Sequence, residues 1–218
     1  MNSLPYPKAI IFDWDNTLVD SWSVIQDALN TTFLSFGMRE WDMDEIRHKV
    51  QESLRDSFPK YFGADWEKAG KIFYRRYSEI HAERISPLPG AGEMLRSFFQ
   101  AGIYLAVVSN KKGTFLRKES RTLDWDKYFV KLVGAFDAEK DKPNQEPVNL
   151  ALKPGNIYQG AHVWFVGDTE IDMQCAHKTH CTPILLHSKF PKPEKSKKFP
   201  PALRFQHCRE LCNYVLNM

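Results

Sequence analysis

Asp13 and Asp15 stand two positions apart in "AIIFDWDNTLVDS", where an apolar run meets a polar turn. One Asp or Asn commonly closes a strand by hydrogen-bonding nearby backbone. A close pair is different, because two carboxylates on one face repel unless a cation or a shared proton lies between them. Alternate strand residues point the same way, so Asp13 and Asp15 can address one cavity while Trp14 faces the opposite side. Polar groups also end three later apolar runs: Ser109-Asn110, the segment leading to Lys142, and "GDTEID" with Asp168 and Asp172. Each has an ordinary alternative: a helix cap, a surface lysine before Pro143, an N-cap with an acidic first turn. Their recurrence at strand ends is the signal, since ligands of open parallel sheets bind outside the carboxyl ends of the strands.

The elements that must carry these groups are short apolar runs alternating with amphipathic stretches. "KAIIFDW", "IYLAVVSN" (103 to 110), "KLVGAF" (131 to 136), "HVWFVGD" (162 to 168) and "TPILLH" (182 to 187) suit strands buried on both faces. Helices are expected between them over 90–101, 113–124, 145–153 and 169–179. This alternation predicts an α/β fold with a doubly wound, mostly parallel, Rossmann-like sheet. Residues 21–86 break the rhythm with helical spacing throughout, Gly37 as a stop, Asp42 and Glu45 as a capping box, and Asp65 as a cap. The expected division is therefore a core of 1–20 and 87–218 with an inserted all-α cap over 21–86. Most of the cap's rings (Phe58, Tyr61, Phe62, Phe73, Tyr74 and Tyr77) are expected in its own core, the alternative being an exposed dimer patch.

At this point "DWDNTLVDS", "VVSNKK", "DKPNQEPVNLAL" and "VGDTEIDMQCA" together resemble the four signature segments of the haloacid dehalogenase superfamily, phosphatase branch. The similarity spans nearly the whole chain, and the nearest subgroup is the phosphoglycolate phosphatase-like enzymes. It implies a Mg²⁺ site in which Asp13 and Asp168 give carboxylate oxygens, Asp15 its backbone carbonyl, and Asp172 holds metal-bound water or orients the shell. It implies that Asp13 attacks phosphorus, that Asp15 protonates the leaving alkoxide, and that Thr17 steadies Asp15. Ser109 and the amides around Asn110 and Thr17 would bind phosphoryl oxygens, and Lys142 would neutralise charge. Asp15 discriminates within the family: similar dehalogenases and phosphonate hydrolases lack an acid there. The implied function is hydrolysis of a small phosphomonoester (phosphoglycolate, a sugar phosphate or a nucleoside monophosphate). The alternatives are a phosphomutase resembling β-phosphoglucomutase, which usually has Gly where Asn16 stands, and a non-catalytic phosphate-binding protein.

Two departures from the family pattern stand out. Gln145 replaces a usual second proline, and "HKTHC" replaces the usual Ala-Gly before the next strand. The segment "VQESLRDSF" (50 to 58) is expected as a specificity loop of the cap, with Arg47 or Arg55 meeting a substrate carboxylate or second phosphate. Lys111, Lys112, Arg75 and Arg76 are expected to be solvated.

Composition bounds the rest. The 218 residues are 43% hydrophobic and 26% charged, as in ordinary globular proteins. Thirty basic residues against 27 acidic leave a net +3, which does not call for nucleic acid. The excess is local: Lys189, Lys192, Lys195, Lys197 and Lys198 fall in a proline-containing stretch expected as a solvated connector, the alternative being an anion or partner patch. No apolar run is long enough to span a bilayer and no secretory signal is evident, so a cytoplasmic location is expected, as a monomer or homodimer. Cys175, His177, His180 and Cys181 are metal-ligand types, but on one helix they point about 100° apart per residue and cannot converge without unwinding. Cys208 and Cys212 read as the buried face of a last helix.

Overall fold

A computed structural model describes residues 4–188 and 198–218. Among the described residues, six parallel strands form one sheet in the order β5-β4-β1-β6-β7-β8. They are β1 (Ala9–Phe12), β4 (Tyr104–Lys112), β5 (Lys131–Ala135), β6 (Val163–Gly167), β7 (Thr182–Leu186) and β8 (Leu203–Phe205). The chain runs outward from β1 through β4 to β5, then returns to the other side of β1 at β6. That reversal is the topological switch point, and it opens a crevice at the carboxyl ends of β1, β4 and β6.

The apolar runs form strands because both faces are covered. Ile10, Phe12 and Trp14 pack with α5 (Ala91–Gln100), α6 (Gly113–Thr122) and α9 (Cys208–Leu216). Ala9 and Ile11 pack on the other side with α7 (Glu146–Leu152) and α8 (Glu170–Lys178). Period-two alternation thus divides one strand between two helical layers, each large buried side chain contributing roughly 1.5–3 kcal/mol. Trp14 lies on the face away from the crevice, as expected.

Residues 22–84 hold only helices: α1 (Trp22–Ser35), α2 (Met43–Lys49), α3 (Leu54–Phe62) and α4 (Trp66–Arg84), with a 3-10 turn before the last. Their entry and exit are joined by an antiparallel ribbon of β2 (Val19–Asp20) and β3 (Ser86–Pro87). Ile25, Leu29, Phe33, Trp41, Phe58 and Phe62 are among the residues of this block's own core. Asp42 and Glu45 form the expected capping box of α2. Asn30 clamps the Trp41 backbone in both directions at 2.9 Å, fixing the turn after α1.

Several details differ from expectation. β4 continues to Lys112, two residues past the expected end at 110, with an irregular register between Val108 and Lys112, so Ser109 and Asn110 do not close the strand. The loop expected over 50–58 ends at Ser53, where α3 begins. Ribbon β2–β3 and strand β8 were too short to show a period. Arg76 is not merely solvated: it makes hydrogen bonds of 2.6 and 3.0 Å to Asp27, tying α4 to α1. Cys175 and Cys181 are buried while His177 and His180 are exposed, so the four do not converge. Cys208 and Cys212 are buried, on the inner face of α9. Of the lysine-rich stretch, Lys189, Lys192, Lys195 and Lys197 lie outside the described residues, and Lys198 is exposed. Among the described residues no helix is long and apolar enough to cross a membrane.

Candidate active site

The end of β1 delivers Asp13 into the crevice, and the chain turns at once. Asn16 adopts φ 61°, a left-handed conformation that Asn tolerates better than most residues, and its amide donates to the Val19 carbonyl at 2.6 Å. This tight turn brings Asp15 back over the strand end, and both acids line one cavity with Ser109, Asn110 and Lys142. Thr17 points elsewhere than expected. Its hydroxyl donates to Asp168 Oδ1 at 3.0 Å, not to Asp15, because the turn carries residue 17 toward β6.

Lys142 is 2% exposed and its ammonium donates to Asp13 Oδ1 and Asp172 Oδ1, each at 2.7 Å. Burial alone would lower its pKa, but these two carboxylates outweigh it and keep the amine charged. Asp172 accepts on its other oxygen from the Thr169 amide and hydroxyl, so it both starts α8 and aims Lys142. Gly167 permits this closeness: a Cβ there would meet Asp172 at 2.4 Å.

Carboxylate oxygens of Asp13, Asp168 and Asp172 lie within 4.8 Å of one another, all buried. Burial, then Asp172 and Asp15, push the Asp13 carboxyl up to about 6 against the pull of Lys142. Burial, then Asp172 and Asp13, also raise Asp168 well above the carboxylate range. A cluster of acids held this way fits a hard divalent cation, which takes oxygen ligands and removes their repulsion. Asp13 and Asp168 are the carboxylates free to face it, since both Asp172 oxygens are already committed.

Lys111 is the main residue that sequence reasoning misplaced. It is buried, with its ammonium in ionic contact with Asp15 Oδ1 at 2.6 Å and bonded to Glu119 Oε2 at 2.5 Å. Glu119 was not singled out at all, yet it is fully buried and gathers Trp14 Nε1 (2.7 Å), Tyr77 Oη (2.9 Å) and His81 Nδ1 (2.9 Å) besides Lys111. The signal was available: Glu119 falls on the Leu116–Glu119–Ser120 stripe that α6 buries. The network joins the segment just after β1, helix α6 and block helix α4 to Asp15 through one carboxylate.

Burial pushes Glu119 up, but Lys111, His81 and Trp14 outweigh it and hold the carboxyl down at about 2. A carboxyl depressed in the fold stabilises above its unfolded value near 4.5 and loses that contribution as pH falls toward 2. Glu119→Gln is therefore expected to be less stable than the parent at pH 6, with the gap closing on acidification. Urea unfolding midpoints at several pH values measure it; a gap that does not change with pH contradicts the assignment.

The cap arginines behave differently from expectation. Arg55 makes a two-point ion pair with buried Asp141, both contacts at 2.6 Å, which fastens α3 to the sheet domain's loop. Its Nε and Nη2 are taken by Asp141 and, at 3.2 Å, by the Ala138 carbonyl. Arg47 is exposed and lies 5.9 Å over the Trp22 ring, outside the cavity lining. Asn110 donates to the carbonyls of Gln51 (3.1 Å) and Lys142 (3.3 Å), so its side chain bridges block and core. The expected specificity segment does border the cavity, through Val50, Gln51, Glu52, Leu54, Ser57 and Phe58.

Sheet order, inserted helices and the acid–lysine cluster define a hydrolase of one class. Residues 10–186 match the model of the haloacid dehalogenase-like hydrolase family, and the chain belongs to that family as an enzyme of its phosphatase branch. Among curated relatives, the chain is 29% identical to phosphoglycolate phosphatase of Aquifex aeolicus over 78% of this chain and 80% of that one. It is 23% identical to phosphoglycolate phosphatase of Psychrobacter arcticus, over 96% of each. A solved haloacid dehalogenase-like hydrolase from Streptococcus pneumoniae has the same fold, with TM-score 0.84 at 21% identity over 96% of this chain and 98% of that one.

Proposed function

We propose that this protein hydrolyses a small phosphomonoester through an aspartyl-phosphate on Asp13, with Mg²⁺ as cofactor. The observation that carries the reading is the cavity floor, where Asp13 meets buried Lys142 and shares one opening with Asp15 and Ser109. The names of the curated relatives support a small phosphate ester as substrate.

Mg²⁺, held by Asp13, Asp168 and the backbone carbonyl of Asp15, would supply positive charge to an anion attacked by an anion. Asp13 attacks phosphorus, and the bond to the ester oxygen breaks. Asp15 gives its proton to the departing alkoxide, then takes one from the water that opens the phosphoenzyme, returning Asp13 and releasing phosphate. Ser109 donates its hydroxyl to a phosphoryl oxygen. Lys142 keeps Asp13 oriented and balances charge at the phosphoryl group. The raised Asp13 carboxyl disfavours the ionised nucleophile, and positive charge beside it restores that form.

A phosphate-release screen over metabolite phosphates tests this. Activity on at least one ester is expected, lost in excess chelator and restored by Mg²⁺. Release from no ester in the screen would sink the assignment, and chelator-insensitive turnover would sink the metal.

A further inference from the structure

The floor of the cavity is polar, but its walls are not. Trp22 from α1, Leu54 from α3, Phe73 and Tyr74 from α4, and Phe115 from α6 line it together with Tyr61. These side chains are only half-buried, whereas Phe58, Phe62 and Tyr77 nearby are fully taken up by packing. Part of each ring surface therefore remains to be covered by whatever sits above Asp13 and Asp15. The walls are also held in place: Phe73 meets Tyr74 edge-on at 5.5 Å, and Tyr74 meets Phe115 at 5.7 Å.

The arginines of the helical block and the buried lysines are not open to a second anion. Arg55 is spent on Asp141 and Arg47 stands outside. Lys111 and Lys142 are locked on buried acids, and Lys49 pairs with Glu45 at 2.9 Å. Lys112 lies 4.6 Å over the Tyr74 ring, and Glu52 in the lining is paired with Lys60. A substrate carboxylate brought here would give up water and meet mainly ring faces, with no arginine fork to receive it.

Resting on the phosphatase reading, we infer that the alcohol half of the substrate is an aromatic or comparably bulky apolar group, not a short carboxylated chain such as glycolate. Its phosphoryl group sits on Asp13 and its ring takes the place of water between Tyr74, Phe73 and Trp22. A preformed pocket of this make binds apolar surface and uses few polar groups for orientation.

Benzyl phosphate and 2-phosphoglycolate separate the two kinds of leaving group. Both depart as alkoxides that need the Asp15 proton, so leaving-group activation does not decide between them. In Mg²⁺ the parent is expected to show kcat/KM at least about tenfold higher for benzyl phosphate. Tyr74→Ala is expected to raise KM for benzyl phosphate selectively, and Trp22→Ala, on a different element, gives the same readout should the first variant not fold. Calorimetric titration of Asp13→Asn with each ester measures the same preference without turnover. Equal affinity, or tighter binding of 2-phosphoglycolate, overturns the inference. Hydrolysis of neither ester with the benzyl preference intact in the titration would count against the phosphatase reading and leave the pocket assignment standing.

Discussion

Asp13→Asn is expected to lower phosphate release by about 10⁴-fold or more, the scale seen when an attacking group is removed from a unit that acts together. The amide keeps the shape of the carboxylate and can still meet Lys142, but it cannot bond to phosphorus. Acid-quenched reactions of the parent should contain a phosphoryl adduct on the peptide carrying Asp13, and the variant should contain none. Stability of the two proteins is measured beside turnover, to separate this result from loss of fold. In the parent, burial pushes the Asp13 carboxyl up to about 6 from an ordinary 3.8, so ionisation costs stability. With chelator present, parent stability should fall as pH rises through that window, because the folded form holds its proton longer than the unfolded one. The neutral amide removes the Asp13 part of that fall and leaves the part carried by Asp168, whose carboxyl is also raised. Thermal unfolding of both proteins from pH 4 to 7 measures it, and variant turnover equal to the parent's ends the aspartyl-phosphate assignment.

Asp15→Asn should be nearly as damaging for alkyl phosphates, by roughly 10²–10⁴-fold, the usual worth of a positioned proton donor. The informative substrate is p-nitrophenyl phosphate, whose leaving group needs no proton. Formation of the phosphoenzyme should then survive while its hydrolysis, which needs Asp15 as base, does not. The expected trace is a burst of p-nitrophenolate equal to the enzyme present, followed by slow turnover. A uniform slowing with no burst, for both ester types, would show that Asp15 does not carry the proton. Lys111 sharpens the experiment, since it holds the Asp15 carboxylate by an ionic contact of 2.6 Å that the amide weakens. Lys111 keeps Glu119 as its second partner, so the variant leaves no isolated buried charge.

The Glu119 network also explains how the helical block is seated. Two α4 side chains, Tyr77 and His81, end on a carboxylate that in turn holds the lysine facing Asp15. Arg55 on Asp141 and Asn110 on the Gln51 carbonyl make further ties between block and sheet. These contacts desolvate their charges only because they complete one another, as buried ion pairs must.

What was legible in the chain follows from local rules. Runs such as "AIIF" and "VWFVG" announce strands buried on both faces, and Asp42 with Glu45 announces a helix start, because periodicity and capping involve residues a few positions apart. The acids at the end of β1 were readable as a close pair, but both lie beyond the strand, and the turn at Asn16 brings Asp15 to the cavity that Asp13 lines. Tertiary structure alone decided the partners. Thr17 turns to Asp168, 151 positions away, Arg55 to Asp141, and Lys111 is drawn into the interior by Asp15 and by Glu119 on the next helix. A side chain's charge is visible in its letter, but which opposite charge shares its loss of water depends on where distant segments meet. Sequence alone therefore determined which residue types gather at the crevice, and folding decided which opposite charges each lysine and arginine there would be spent on.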